Sequence, residues 1–182
     1  MYNNIDPFLT LFLSSILVVA AVTDLRTQKI PNLLTFSTMF LGLVYYSITN
    51  GWNGLLFSFE GLLLGIGVLI VPYLMGGMGA GDAKLMGAIG AMIGPKGVFI
   101  AFLYTAIVGG VYALILLLLN MEYFKDFIKR SSITIKSFAL TRQFISVPAE
   151  KSEKKPKLCY GVAIAIGTFS YFLLEYYGYN PV

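Results

Sequence analysis

The chain has no histidine and a single cysteine, Cys159, among its 182 residues. Those shortages exclude disulfide frameworks, CxxC zinc sites, Ser-His-Asp and Cys-His arrangements, and any histidine-ligated metal. Charge is scarce as well. Asp, Glu, Lys and Arg make up 12% of the residues, against about 25% in a soluble domain. Hydrocarbon fills the rest: the chain is 57% hydrophobic, with a mean hydropathy of +0.78. Such a composition defines a polytopic membrane protein, read as one all-α domain over residues 1–182. Its chemistry, if it has any, rests on Asp, Glu, Lys, Tyr or Ser, with neither metal nor cofactor expected. Cys159 reads as a small packing residue.

Apolar runs lie at about 8–23, 33–49, 55–75, 83–94, 97–120 and 158–177. A spanning helix needs about 20 apolar residues, with about 17 as the lower limit. A helical bundle of about six crossings is expected, the fourth too short to span unless neighbouring helices or its glycine-rich flanks assist it. Residues 1–7 contain no Lys or Arg, so the first run is expected to be a retained helix rather than a secretory signal.

Basic residues set the orientation. Arg26 and Lys29 lie in the first loop, Lys84 in the third, and nine more in the fifth, residues 121–157. The odd loops therefore hold twelve of the thirteen Lys and Arg residues, leaving Lys96 in the fourth. The positive-inside rule places the odd loops in the cytoplasm and both termini outside. In the fifth loop Phe124, Phe127, Ile128, Ile135, Phe138 and Ile145 alternate with basic residues. That pattern suits a helix lying on an anionic membrane surface, so lipid is an expected partner and nucleic acid is not.

One stretch departs from the hydrocarbon pattern: 76-GGMGAGDAKLMGAIG-90. Glycine-rich loops invite phosphate readings, but Asp82-Ala83 stand where the Walker pattern needs Lys-Ser/Thr, and GxGxxG fails after Gly81. A structural alternative makes Asp82 an N-cap, with the glycines serving close helix contact. A second charged cluster, 23-TDLRTQKIPN-32, ends the first run. It has its own structural reading, an interfacial turn anchored by basic residues and closed by Pro31. Yet two crossings separate Asp24 from Asp82, so both aspartates belong on one side, each at a helix end. Ionisable residues at membrane depth are functional candidates by default.

Two carboxylates brought close together cannot both ionise cheaply, so such a pair holds a shared proton near working pH. One can then take a proton from water while the other, protonated, polarises a peptide carbonyl. Glycines beside Asp82, Gly79 and Gly81, would let an extended peptide backbone approach. Lys84 would either bind substrate carbonyls and tune Asp82, or anchor the helix at the interface. Glu60 falls toward the opposite side. Two rival readings are a transporter using Asp24 and Asp82 as a cation or proton site, and a non-catalytic assembly protein. Transport sites usually lie near the bilayer midplane, unlike these helix-end aspartates.

Gly79-Ala80-Gly81-Asp82 resembles the GxGD motif of membrane aspartyl proteases. The longer Gly77–Leu85 stretch, with Asp24–Asn32, resembles the type IV prepilin peptidase family. A third likeness to that family lies at 156-PKLCYGVAIAIG-167. The resemblance implies catalytic aspartates at 24 and 82, and cleavage of the leader from pilin-like precursors at the cytoplasmic face of a bacterial inner membrane. Larger members also N-methylate the new terminus and carry a domain with paired CxxC motifs. This chain resembles the short branch found in tight-adherence pilus systems, and methyl transfer is not carried over to it.

Overall fold

A computed structural model of the chain describes residues 7–74, 78–119 and 159–178. Pro7 suits the start of a helix, where its fixed φ helps and its missing N–H is not needed. Helix α1 runs from there, Pro7–Thr27, and buries Leu9, Leu13, Leu17, Ala20 and Asp24. Steps of three and four residues trace one stripe of a helix. Asp24 is therefore the last member of an otherwise apolar inner face. The helix stops where Gln28 adopts a φ of 53°, while its N–H still bonds the Asp24 carbonyl at 2.8 Å. Pro31 follows, and its carbonyl accepts the N–H groups of Leu34 and Thr35 in the first turn of α2.

Helix α2 spans Asn32–Leu74 and helix α3 spans Ala80–Leu119. Each joins two apolar runs that the sequence separates with loops. A single glycine breaks each helix instead: Gly51, at φ 57° and ψ −137°, and Gly94, at φ 75° and ψ 179°. Glycine enters this half of φ space without steric cost. Helix α4 covers Tyr160–Tyr176, 17 residues, and packs against α1. Among the described residues, three helices are long and apolar enough to cross a membrane: α1, α2 and Ala80–Leu116 of α3. The described residues are all-α.

The carbonyls just before the break at Gly94 are on buried residues and need partners within the protein. Pro95 has no N–H, so the Ala91 carbonyl loses its usual donor. Ser58 of α2 donates to it at 2.7 Å. The neighbouring Met92 carbonyl accepts the Tyr46 hydroxyl at 2.9 Å. Both donors come from α2, one from each side of its own break.

Small residues bring α2 against α3. A Cβ on Gly61 would meet the Gly90 carbonyl, and one on Gly90 would meet the Gly61 carbonyl. Gly65 lies in the same way against Met86. Between Asp82 and Gly94 every residue except Lys84 is buried. A helix covered on all sides occupies the centre of a bundle. This accounts for the short fourth run: neighbouring helices, rather than lipid, surround it.

The chain forms two units, Met1–Gly109 with Cys159–Val182, and Gly110–Leu158. Both aspartates belong to the first. Of the second, the described residues are 110–119, the end of α3. The basic fifth loop and both termini lie outside the described residues.

Candidate active site

Asp24 ends the inner stripe of α1, and Asp82 lies in the first turn of α3. The chain between them returns both to one end of the molecule, where the start of α4 joins them. Three contacts fix that meeting. The Gly161 N–H donates to Asp24 Oδ2 at 2.8 Å. The Cys159 thiol lies 3.9 Å from the Asp24 carbonyl oxygen. A Cβ placed on Gly81 would sit 3.3 Å from the Ile30 Cβ, so the α1–α2 turn rests against the turn that carries Asp82.

Asp82 is held locally. Its Oδ2 accepts the Gly79 N–H at 3.0 Å, and its own N–H donates to the Gly79 carbonyl at 3.1 Å. The helix begins at Ala80, so Asp82 is not the N-cap of the structural alternative. It lies at the third helical position and reaches back to the N-cap N–H, as in one half of a capping box.

Asp24 is 6% exposed and Asp82 8%. Their electrostatic interaction crosses the site, the charge on Asp24 acting on Asp82. Among the described residues each carboxylate is held by one glycine N–H and by no cation. Lys84, the nearest cation in sequence to Asp82, makes no ion pair with it. Its Nζ donates to Asn32 Oδ1 at 2.9 Å and lies 5.1 Å from the Phe36 ring centroid. Burying a carboxylate without a positive partner is costly, and such groups concentrate where chemistry uses them.

The structure therefore brings Asp24, Gly79, Gly81, Asp82 and Lys84 to one end. Gly79 supplies a hydrogen bond, Gly81 a close approach to Ile30, and Lys84 a tie to the start of α2. Glu60 is exposed on α2 beside Gly61, which crosses α3 at Gly90. Eight residues of helix separate Gly90 from Asp82, about 12 Å, so Glu60 is not part of the cluster. Residue-by-residue reading passed over Gly161 and Tyr160. The Tyr-Gly step inside 156–167 was their signal, because a glycine there permits close approach to another helix end. Tyr160 lies over Gly109 of α3 and feels the charge of Asp82.

The structure thus holds two buried carboxylates at helix ends, in a bundle whose described helices include three apolar and long enough to cross a membrane. The chain belongs to the type IV leader peptidase family, whose model matches residues 11–114, a stretch holding both aspartates. Its relatives include proteins named prepilin leader peptidase/N-methyltransferase. The Bacillus subtilis (strain 168) protein is 32% identical over 112 residues, covering 60% of this chain and 44% of that protein. The Xanthomonas campestris pv. campestris protein is 36% identical over 115 residues, 57% of this chain and 38% of its own length. The Aeromonas salmonicida (strain A449) protein is 33% identical over 120 residues, 62% and 41% respectively. The chain spans less than half the length of these curated relatives. No solved structure matches it.

Proposed function

We propose that the chain is a membrane aspartic endopeptidase that removes the leader from type IV prepilin-like precursors, with Asp24 and Asp82 as the catalytic pair. One observation carries this reading: two aspartates 58 positions apart are both buried, near enough for the charge on Asp24 to act on Asp82, each with one oxygen held by a glycine N–H. Family membership and the relatives' names give the reaction class.

The proposed chemistry needs one proton shared between the two carboxylates. The ionised aspartate takes a proton from water as the oxygen attacks the scissile carbonyl. The protonated partner donates to the carbonyl oxygen; as the C–N bond breaks, the proton gained from water passes to the leaving amine and the gem-diol returns a proton to the partner, restoring the shared proton. Glycine N–H groups on the Oδ2 atoms hold the carboxylates without adding a cation that would favour ionisation of both. Methyl transfer, which the relatives' names include, is not part of the proposal.

The same reading takes the breaks at Gly51 and Gly94 as boundaries between crossings, giving six spans. It places the aspartates at the cytoplasmic face of a bacterial inner membrane, with both termini outside. The distribution of basic residues supports this, as does the meeting of Asp24 and Asp82 at one end of the bundle. The tight-adherence branch remains part of the proposal for the substrate.

The test is cleavage by purified protein in detergent or liposomes. A pilin-like precursor encoded near the chain's own gene is added, and the mass of its new N-terminus is measured. Loss of the basic leader at one defined bond is expected. An intact precursor in the presence of folded protein would refute the assignment.

A further inference from the structure

The second residue of α4 has no assigned part in the reaction. Gly161 is buried, and its N–H is one of the first donors of a helix, which have no partner within that helix. Cys159, at the cap position, makes no side-chain cap to α4. Asp24 takes the role across the helix boundary, accepting the Gly161 N–H at 2.8 Å.

The same position also limits space. A Cβ on Gly161 would stand 2.9 Å from Asp24 Oδ2, and 3.1 Å from both Cβ and Cγ of Asp24. Its φ is not left-handed, so backbone conformation does not demand glycine there. Within a helix glycine is unfavourable relative to alanine. The close approach of Asp24 is what the missing side chain permits. The amide draws Oδ2 in, and the bare α-carbon lets it arrive. Together they select one placement of the Asp24 carboxylate.

We propose that Gly161 is a positioning residue for Asp24, setting the carboxylate geometry that the paired-aspartate reaction requires. It acts through Asp24 and touches neither water nor peptide. The inference rests on the aspartic-peptidase reading above.

The experiment compares Gly161→Ala with Gly167→Ala in the full chain, reconstituted with a prepilin-like precursor. The added methyl at 167 would meet Thr105 of α3, away from the aspartates. Gly161→Ala should lower kcat about 100-fold, the effect of a displacement on the order of 1 Å in a reacting group. KM should stay within about twofold and the melting temperature near that of the wild type. Gly167→Ala should lower the melting temperature and leave kcat per folded molecule intact. Equal loss of kcat in the two variants, or full kcat in Gly161→Ala, would overturn the inference. A wild type that does not cleave would instead overturn the peptidase reading, and this inference with it.

Should Gly161→Ala not fold, the wild type supplies a second test. Tyr-Gly bonds occur twice, at 160–161 and 177–178, so paired carbonyl-tyrosine and amide-glycine labelling yields two NMR signals. Gly178→Ala identifies which signal is Gly161. Among the described residues, Asp82 on α3, Tyr160 on α4 and Cys159 at its cap are the titratable groups around Asp24, so any midpoint belongs to the site as a whole. The Gly161 amide shift and the acid limb of the cleavage rate should share that midpoint. Distinct midpoints would separate the amide from the reaction and overturn the proposal.

Discussion

The Lys84 ammonium donates to the Asn32 side-chain oxygen at 2.9 Å, across 52 positions of sequence. The contact ties the first turn of α3 to the first turn of α2, with the Phe36 ring beneath the cation. Among the described residues Lys84 makes no ion pair with Asp82, and this contact is the geometry expected of a brace near the site rather than of a partner of the carboxylate. A pair this exposed contributes less than about 1 kcal/mol. Lys84→Met and Asn32→Ala should each reduce cleavage by less than about tenfold, and the double variant should match the more affected single. Initial rates of precursor cleavage measure this. A loss of several orders of magnitude in Lys84→Met alone would place the lysine on substrate.

The broken α3 makes a second demand. Ser58 and Tyr46 supply donors to the carbonyls of Ala91 and Met92, next to Pro95. Removing a donor leaves a buried carbonyl unsatisfied, at about 1–3 kcal/mol. Ser58→Ala and Tyr46→Phe should therefore lower thermal stability in detergent, while protein that remains folded keeps the proposed cleavage rate. Wild-type melting in both variants would show that the carbonyls find other donors.

At the α2–α3 crossing, Gly61 and Gly90 lie carbonyl against α-carbon. A methyl on either must force the helices apart, and overpacking of this kind costs about 1–3 kcal/mol. Gly61→Ala and Gly90→Ala should both reduce the amount of protein in the membrane and its melting temperature. Gly67 has nothing within 4 Å of the corresponding position. Gly67→Ala should be neutral or gain up to about 1 kcal/mol from helix propensity. The three melting temperatures, measured side by side, decide it. Equal behaviour would mean that the crossing adapts freely.

These contacts mark where sequence reading reached and where it stopped. Asp24 and Asp82 were legible because a carboxylate in hydrocarbon stands out, and because counting crossings puts both at one side. The helical content was legible from runs of apolar residues. The joins inside α2 and α3 were not: Gly51 and Gly94-Pro95 signal a break, but hydropathy alone cannot tell a glycine kink from a short loop. Nor could it reveal that residues 82–94 are enclosed by other helices, since buried and lipid-facing segments are equally apolar. The N-cap reading of Asp82 missed by three positions because Gly79 can itself occupy a cap. Gly161 stayed hidden for a related reason. Its importance lies in a missing side chain and a main-chain donor, and neither has a chemical signature in a list of residues.

The paired aspartates give the most direct test. Asp24→Asn and Asp82→Asn should each abolish leader cleavage while leaving the protein inserted and abundant. Asparagine retains the shape and an oxygen that can accept the N–H of Gly161 or Gly79, so the local hydrogen bonds survive. What it loses is the ability to take a proton from water or to donate an acidic one. Residues that act as one unit are strongly non-additive, so the double variant should be little worse than either single. Asp→Glu at either position should also fail or nearly fail, because one added methylene displaces a carboxylate that must share a proton at close range. A purely structural Asp82 would behave otherwise. Its contact with the Gly79 N–H stabilises a helix start by about 1 kcal/mol at most, and asparagine keeps most of that. The measurement is the fraction of uncleaved precursor in cells whose membranes contain equal amounts of variant and wild type. Substantial processing by Asp82→Asn would return that residue to the structural role and leave the chain without a paired-aspartate mechanism.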